Sequence, residues 1–172
     1  GARVTVARGG LPEMGDVREI IDGPIRRDDL RSFRFHHSDI AAARSVVESQ
    51  LQARGARIFD LIVEDDPLGA LRRMIARILG YGIPTKALAH RDIALPYHRD
   101  TQTPYPSTNA TLVLRRDCGG GVLLIPDTGL GFACPDGTII AFDGQRLHGV
   151  TPLEPSKGGY RIAVTFYCPL AS

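Results

Sequence analysis

Two histidines and one aspartate carry the chemistry that this sequence suggests. His98 and Asp100 are separated by one residue, and His148 follows later in a segment that continues Gly-Val-Thr. In an extended chain, side chains at positions i and i+2 point to the same face, so one strand end presents an imidazole nitrogen and a carboxylate oxygen to one point. With a second histidine from another strand, these groups form the two-histidine, one-carboxylate triad of non-haem Fe(II) sites, which leaves positions open for O2. The predicted chemistry is oxidation of a C–H bond.

Arg161 follows His148 by thirteen residues, in a run that continues Ile-Ala-Val-Thr-Phe-Tyr and has the composition of a strand. A strand arginine can simply form a surface ion pair, which contributes little to stability. If it points into a barrel instead, its fork of N–H donors needs an anionic partner, because an unpaired buried guanidinium is costly. The functional interpretation is that Arg161 holds a dicarboxylate cosubstrate against the metal.

Neither motif is decisive alone. A His-x-Asp triplet occurs by chance in many sequences, and a lone histidine is usually structural. The β-rich context, the later histidine and the strand arginine occur together here, and this combination favours a metal centre formed by His98, Asp100 and His148.

The elements that must position these residues change character near residue 85. In the first half, Ser38-Asp39 predicts the start of a helix that Gly55 ends. Asp66-Pro67 predicts the start of a second helix, with Gly80 after its last apolar position. The segment between them, residues 57–64, fits either a strand or a helix extension.

From residue 86 onward, short β-rich runs alternate with Gly, Pro and Asp turns. Many short strands at close spacing are typical of a β-sandwich or a jelly-roll barrel. We expect one domain, 1–172, with a helical support region, 1–85, and a β core, 86–172. The expected strands are Lys86–Ile93, Asn109–Arg115, Gly121–Ile125, Gly131–Cys134, Thr138–Phe142, His148–Thr151 and Tyr160–Cys168.

The composition excludes several classes of protein. The 172 residues are 43% hydrophobic and carry a net charge of +2, as is ordinary for a globular domain. No stretch approaches the roughly 20 apolar residues of a membrane span, and no signal-peptide pattern opens the chain. Cys118, Cys134 and Cys168 form no CxxC pair, which favours a reducing compartment. We expect a monomer in the cytoplasm or nucleus that does not bind membranes.

Arginine is concentrated in the first half of the chain. Such a group is either a solvated surface or a patch that faces phosphate groups, and the sequence leaves both open. The arginines concerned are Arg26, Arg27, Arg31, Arg34, Arg54, Arg57, Arg72, Arg73 and Arg77.

Residues 86–170 resemble the core of the Fe(II)/2-oxoglutarate-dependent dioxygenases. The resemblance implies that His98, Asp100 and His148 bind Fe(II), and that Arg161 binds the far carboxylate of 2-oxoglutarate. It further implies that O2 and 2-oxoglutarate are consumed, that succinate and CO2 are released, and that a substrate C–H bond is hydroxylated. The fold class expected is α+β, mainly β: a double-stranded β-helix (jelly roll) with the N-terminal helices packed outside one sheet.

Four segments are more narrowly similar to the TET/JBP-type oxygenases, especially compact phage and fungal members. They are Leu95–Asp100, Gly119–Pro126, Asp136–Gly144 and Leu147–Thr151. This resemblance implies hydroxylation of the 5-methyl group of thymine or 5-methylcytosine in DNA. Related segments recur in prolyl hydroxylases, so the alternative is a 2-oxoglutarate oxygenase that acts on a small molecule, an amino acid or a protein side chain. A further alternative is a jelly-roll binding module without enzymatic activity.

The sequence departs from these oxygenases two residues after the cosubstrate arginine, where Ala163 replaces a frequent serine. Thr165 or Thr151 could supply the missing hydrogen bond. The second carboxylate of 2-oxoglutarate, beside the metal, needs its own donor, for which Asn109 ranks first. The other candidates for this second donor are Arg115, Arg91 and Lys86.

The loop Thr101–Thr108 follows the His-x-Asp motif directly, and we expect it to border the substrate entrance. Arg99 and Arg146, each next to a metal ligand in sequence, are candidates for phosphate contacts. A flipped base needs a flat stacking surface. The candidates for stacking are Tyr97, Tyr105 and Phe132.

Overall fold

The described part of the chain consists of short strands, with two helices near its start. The fold is given by a computed structural model, which describes residue 12 and residues 17–23, 25–27, 30–100, 107–154 and 160–170. The helices are α1 (His37–Arg54) and α2 (Leu68–Leu79). The strands are β1 (Glu19–Ile21), β2 (Arg26–Arg27), β3 (Leu30–Arg34), β4 (Ile58–Asp60), β5 (Lys86–Arg91), β6 (Leu95–His98), β7 (Ser107–Arg116), β8 (Gly119–Gly120), β9 (Leu123–Ile125), β10 (Leu130–Phe132), β11 (Thr138–Asp143), β12 (His148–Val150), β13 (Leu153–Glu154) and β14 (Arg161–Pro169).

Two main sheets face each other across an apolar core. The larger has the strand order β2–β3–β11–β7–β14–β5–β4, and the smaller has the order β1–β10–β9–β12–β6. Among the described strands, β1 and β10 pair in parallel and the other pairs are antiparallel. Side chains such as Ile125, Phe132 and Phe142 fill the space between the sheets. The metal-ligand candidates lie at one end of this space.

The two helices cover the outer face of the larger sheet. In α1 the buried side chains Ile40, Ala43, Val47 and Leu51 recur every three or four residues, which places them on one face. They pack with α2 against small strand residues, including Ala87, Ala89 and Ala110. The expected mainly β fold with helices outside one sheet is therefore confirmed.

The helix ends differ from the expectation at one point. The cap of α1 is His36, whose Nδ1 accepts a hydrogen bond from the backbone N–H of Ser38 at 3.3 Å, so the prediction of a Ser38-Asp39 cap is wrong. An imidazole nitrogen satisfies the free N–H as a hydroxyl does. Gly55 ends α1 with a φ of 61°, as predicted. Asp66 accepts from the N–H of Ala70 at 3.0 Å at the start of α2.

The N-terminal half also contributes short strands that its sequence pattern does not predict. β2, β3 and β4 join the larger sheet, and β1 joins the smaller one. The ambiguous segment 57–64 contains β4, a strand of three residues. Because these strands are two to five residues long, their alternation is too short to be recognised in the sequence. None of the helices in the described residues is long and apolar enough to cross a membrane.

An irregularity in β7 decides which of its side chains face the interior. Ile162 of β14 pairs with Arg115 and Ala163 pairs with Val113, so Leu114 is an extra residue. Such a bulge shifts the alternation of side chains by one. Arg115 therefore lies on the helix side of the sheet, whereas Asn109 lies on the inner side.

Candidate active site

β6 and β12 bring the two histidines and the aspartate together. β6 ends at His98, Asp100 lies two residues beyond, and His148 opens β12 directly opposite His98. Oδ1 of Asp100 lies 3.2 Å from Nε2 of His148 and 3.5 Å from Nε2 of His98. The three candidate ligand atoms all lie within 4.8 Å of one another, so they could hold one metal ion.

Backbone carbonyls fix the orientation of both imidazoles. Nδ1 of His98 lies 2.7 Å from the carbonyl oxygen of Pro96, and Nδ1 of His148 lies 2.7 Å from that of Arg146. Since a carbonyl only accepts, each Nδ1 carries a proton and donates it. When the rings are neutral, each Nε2 keeps a lone pair that faces the Asp100 carboxylate. Lone pairs and a carboxylate that converge on one point fit a divalent cation.

Hydrogen bonds among these three side chains shift the pKa values of Asp100 and His98. Burial acts to raise the pKa of Asp100, but hydrogen bonds from His148 and His98 hold that pKa well below its usual range. The hydrogen bond to Asp100 in turn raises the pKa of His98. The aspartate is therefore ionised at neutral pH, as a metal ligand must be.

The turn between β11 and β12 supports Asp100 from behind. The N–H of Asp100 donates to the carbonyl of Gly144 at 2.8 Å, and the side chain of Gln145 donates to the carbonyl of Asp100. A Cβ added at Gly144 would overlap the Asp100 carboxylate and lie 3.0 Å from the Asp100 Cβ. Glycine is required here because of this close approach.

A chain of hydrogen bonds leads from Asp100 across the larger sheet. Nδ2 of Asn109 donates to Oδ2 of Asp100 at 2.9 Å, and Oγ1 of Thr111 donates to Oδ1 of Asn109 at 2.7 Å. Oγ1 of Thr165 lies 3.1 Å from that of Thr111 and 3.3 Å from Nε2 of His90. The two threonines, Asn109 and His90 thus connect the candidate metal ligand with the interior of the sheet.

The direction of this chain follows from its Asp100 end, because an ionised carboxylate only accepts hydrogen bonds. Thr111 uses its single proton toward Asn109, so Thr165 must donate to Thr111. Nε2 of His90 must then donate to Thr165. Nδ1 of His90 is buried and has no partner among the described residues, so a proton on that atom would be left unsatisfied. Burial, with help from the charge of Arg161, lowers the pKa of His90 to about 4, so His90 is neutral at pH 7 with its proton on Nε2.

Arg161 is a buried cation without an acidic partner in the described residues. Its side chain is 5% exposed, and within the same part of the chain its Nε has no hydrogen-bond partner. Burial lowers the pKa of Arg161 to about 10. The backbone N–H of Arg161 donates to Asp92, and Gly121, with a φ of 59°, leaves room for the Arg161 side chain. A buried guanidinium with unused donors fits a carboxylate ligand.

A cavity of about 360 Å³ connects these groups. On the larger sheet its wall consists of successive cross-strand rows: Lys86, Tyr167 and Asn109, then Leu88, Thr165 and Thr111, then His90 and Ala163. Arg161 lies at the far end of β14. The other side chains that line the cavity are Ile58, Ile93, Leu95, His98, Arg99, Asp100, Leu123, Phe142, His148 and Val150.

Two of the four candidate donors to the second carboxylate of the cosubstrate face the cavity, and two do not. Asn109 faces the cavity and contacts Asp100, and Lys86 also lines the cavity. The bulge turns Arg115 to the outer surface, where it pairs with Asp117 at 2.9 Å. Arg91 is exposed and packs over the ring of Tyr160 at 5.0 Å. Arg115 and Arg91 are therefore wrong as cavity residues.

The other polar candidates differ in the same way. Thr165 faces the cavity, whereas the hydroxyl of Thr151 accepts from the N–H of Val122 at 3.0 Å. Phe132 lies in the core between the sheets, so it cannot stack on a substrate. Tyr105 and residues 101–106 of the predicted entrance loop lie outside the described residues.

Most of the arginines of the first half contact other parts of the protein, which favours a structural surface over a phosphate-facing patch. The arginines of the first half with contacts inside the protein are Arg27, Arg31, Arg34, Arg54, Arg72 and Arg73.

The two candidates for phosphate contacts differ in their surroundings. Arg99 is exposed beside the metal-ligand candidates and donates to the carbonyl of Gln145 at 2.5 Å, while Arg146 pairs with Asp127 at 3.6 Å.

Sequence reasoning did not find Thr111, Gln145 or Gly144. Thr111 had a usable signal, since it lies two residues after Asn109 and therefore on the same face of the strand. Gly144 and Gln145 had none, because their contacts with Asp100 exist only after two distant segments meet.

No family model matches the chain, and no curated protein matches it in sequence. Its fold does match solved structures. The viral collagen prolyl hydroxylase of Paramecium Bursaria Chlorella virus-1, as a 2-oxoglutarate complex, has a TM-score of 0.65 at 10% identity, over 84% of this chain and 97% of that one. NgTET1 in complex with 5mC DNA has a TM-score of 0.60 at 12% identity, over 81% and 71%. A 2OG-Fe(II) oxygenase family oxidoreductase from Burkholderia pseudomallei has a TM-score of 0.58 at 14% identity, over 87% and 95%.

These likenesses define the fold. The chain has the mainly β architecture of the 2OG-Fe(II) oxygenase structures, a double-stranded β-helix, and the predicted fold class is confirmed. At identities this low, the reaction and its substrate must be argued from the side chains of the site.

Proposed function

We propose that this protein is an Fe(II)- and 2-oxoglutarate-dependent dioxygenase. One observation carries the proposal: the cavity that contains His98, Asp100 and His148 also contains Arg161, a buried cation without an acidic partner in the described residues. The first three residues offer the ligand set of a non-haem iron site. Arg161 offers the bidentate donor that a dicarboxylate needs.

The residues of the chain have distinct roles in this proposal. His98, Asp100 and His148 hold Fe(II), which when bound supplies the activation of O2 coupled to conversion of 2-oxoglutarate to succinate and CO2. Arg161 binds the far carboxylate of 2-oxoglutarate, and its burial excludes water that would weaken this contact. Asn109 keeps Oδ2 of Asp100 occupied by a hydrogen bond, so Oδ1, which lies beside Nε2 of both histidines, would be available to a metal ion. The second N–H of the Asn109 amide would donate to the other carboxylate of 2-oxoglutarate.

For the substrate, we propose the 5-methyl group of thymine or 5-methylcytosine in DNA. Support comes from the four sequence segments that resemble the TET/JBP-type oxygenases and from the similarity in fold to NgTET1, solved in complex with 5mC DNA. Arg99, exposed beside the metal-ligand candidates, offers a contact for a DNA phosphate.

A second candidate function is hydroxylation of a peptide side chain, an amino acid or another small molecule. The similarity to the viral collagen prolyl hydroxylase supports it, as does the observation that six of the nine arginines of the first half contact other parts of the protein. The two candidates differ in a measurable property, because DNA binding weakens steeply with salt and small-molecule binding does not.

The test is anaerobic loading of the full chain with Fe(II) and 2-oxoglutarate, followed by O2 and oligonucleotides that contain thymine or 5-methylcytosine. Nucleosides are analysed by mass spectrometry and succinate is measured in parallel. His98→Ala removes a proposed ligand, and His37→Ala, an exposed histidine of α1, is the matched control. A nucleoside heavier by one oxygen atom, absent with His98→Ala alone, supports the DNA reaction. Formation of succinate without a modified base supports the oxygenase activity and excludes DNA as its substrate. Absence of both refutes the proposed function.

A further inference from the structure

Lys86 is a cation that the proposed reaction does not use. It is one of two lysines in the chain, among 21 basic residues, and the other is Lys157. Its side chain lines the cavity, and its Nζ lies 5.8 Å from the centre of the Tyr167 ring. In the described residues, Lys86 forms no ion pair with a carboxylate. An ammonium group inside a cavity is a binding element for an anion.

The position of Lys86 separates it from the proposed cosubstrate site. Lys86 pairs with Tyr167 across the sheet, and Tyr167 lies six residues from Arg161 along β14. At about 3.3 Å per residue, this places Lys86 about 20 Å from the backbone of Arg161. Asn109 lies in the same row as Lys86 and contacts Asp100, and it is the donor proposed for the second carboxylate of 2-oxoglutarate. Lys86 is therefore left over for a different ligand.

Lys86 is nevertheless near the candidate metal centre. Lys86, Tyr167 and Asn109 form one row across three neighbouring strands, and Asn109 contacts Asp100. Two strand spacings of about 4.8 Å separate the backbones of Lys86 and Asn109 by about 10 Å. A small molecule whose charged group lies at Lys86 can thus place another of its atoms beside the metal.

The surroundings of Lys86 describe the rest of such a molecule. Beside Lys86, the cavity wall contains the ring of Tyr167 and then Leu88, and Ile58 follows further along, opposite His90. These side chains accommodate a flat or apolar group. One acidic side chain, Asp60, pairs with Leu88 and so lies on the same face of the sheet, but it forms no ion pair with Lys86. The negative charge of Asp60 opposes the binding of an anion at Lys86. Removal of that charge should therefore strengthen anion binding, whereas removal of the Lys86 charge should weaken it.

We propose that the primary substrate carries a phosphate or carboxylate group that Lys86 binds, with the group to be oxidised between Tyr167 and the metal. The inference rests on the proposed function for the reaction and adds the charge of the substrate and the residue that recognises it. For a DNA substrate, the anion is the phosphate of the nucleotide whose base enters the cavity.

The first experiment measures acylation of the two lysines by an amine-selective reagent, with each site quantified by mass spectrometry. The full chain is kept anaerobic with Fe(II) and 2-oxoglutarate, and Lys157 reports any non-specific effect. Two pairs of probes differ only in charge: thymidine 5′-phosphate against thymidine, and N-acetylproline against its amide. Calorimetric binding of 2-oxoglutarate to the Fe(II)-loaded protein is measured separately, so that failure of the proposed function is recognised independently.

Slower acylation of Lys86 with the charged member of a pair, and not with the neutral member, supports the proposal. Protection by N-acetylproline alone retains the anion site and overturns the phosphate assignment. The proposal is overturned if 2-oxoglutarate alone protects Lys86, or if neither anion does.

Two substitutions with opposite expected signs complete the test. Lys86→Met should weaken binding of thymidine 5′-phosphate about tenfold, the factor for one charge-assisted hydrogen bond, and leave thymidine unaffected. Asp60→Asn should strengthen binding of the phosphate about twofold, because it removes an exposed like charge. If both variants weaken binding of thymidine and of its phosphate equally, the effect is structural and the proposal is wrong.

Discussion

Replacement of Thr165 by valine tests the hydrogen-bond chain that connects Asp100 with His90. Valine has nearly the shape of threonine, so the change removes a hydroxyl and leaves the packing in place. That hydroxyl accepts from Nε2 of His90 at 3.3 Å and donates to Thr111 at 3.1 Å. In the variant the buried N–H of His90 loses its acceptor, and Thr111 loses the proton that it accepts.

The structure provides a matched control for the magnitude. Thr138 is also a buried strand threonine, with 0% exposure, but its hydroxyl has no hydrogen-bond partner in the part of the chain that the structure describes. A buried donor left unsatisfied costs about 1–3 kcal/mol, whereas replacement of an unpartnered hydroxyl by a methyl group is neutral or stabilising. We therefore expect Thr165→Val to lower the free energy of unfolding by about 2 kcal/mol relative to Thr138→Val. For a domain of this size that difference corresponds to about 4–8 °C in Tm.

The assay is thermal and denaturant unfolding of both variants without metal, followed by calorimetric titration with Fe(II) and 2-oxoglutarate. Equal stability of Thr165→Val and Thr138→Val would refute the hydrogen bonds that Thr165 forms with His90 and Thr111. Thr165→Ser, which keeps the hydroxyl, should recover most of the Fe(II) affinity that Thr165→Val loses. If serine and valine lose the same affinity, the hydroxyl does not position Asp100.

Three further outcomes are expected. Gly144→Ala should weaken Fe(II) binding at least tenfold, because the added Cβ displaces Asp100. Gly23→Ala is the control and should leave Fe(II) binding unchanged, because no atom lies within 4 Å of its added Cβ. Equal Fe(II) affinities of the two variants would contradict the support that Gly144 gives to Asp100. Arg161→Met should abolish the rise in Tm that 2-oxoglutarate produces, while the protein without ligand stays at least as stable as wild type, because a buried unpaired charge is removed; a retained rise would exclude Arg161 as the carboxylate ligand. The pKa of His90 is about 4 in the folded protein and 6.5 in the unfolded chain. Neutral His90 therefore contributes about 3 kcal/mol to the free energy of unfolding above pH 6.5, and this contribution is lost as the pH falls toward 4. The difference in unfolding free energy between wild type and His90→Gln should therefore shrink with acid, and a constant difference would show that His90 is not held neutral.

The sequence alone was sufficient for the features that depend on local periodicity. Residues at i and i+2 of an extended chain share a face, so the spacing of His98 and Asp100 predicts that their side chains meet, as they do although β6 ends at His98. The period of Ile40, Ala43, Val47 and Leu51 likewise identified α1, since a helix must bury one face. The mainly β fold class followed from the spacing of turn residues.

Only the tertiary structure decided the features that depend on contacts between distant segments. The bulge at Leu114 turned Arg115 outward and left Asn109 inward, although the two residues are an even number apart. Gly144 supports Asp100 only because the turn after β11 meets the end of β6. The separation of Arg161 and Lys86 at different positions along the cavity is set by strand register. Register is determined by packing over the whole sheet and is not encoded in any short stretch of sequence.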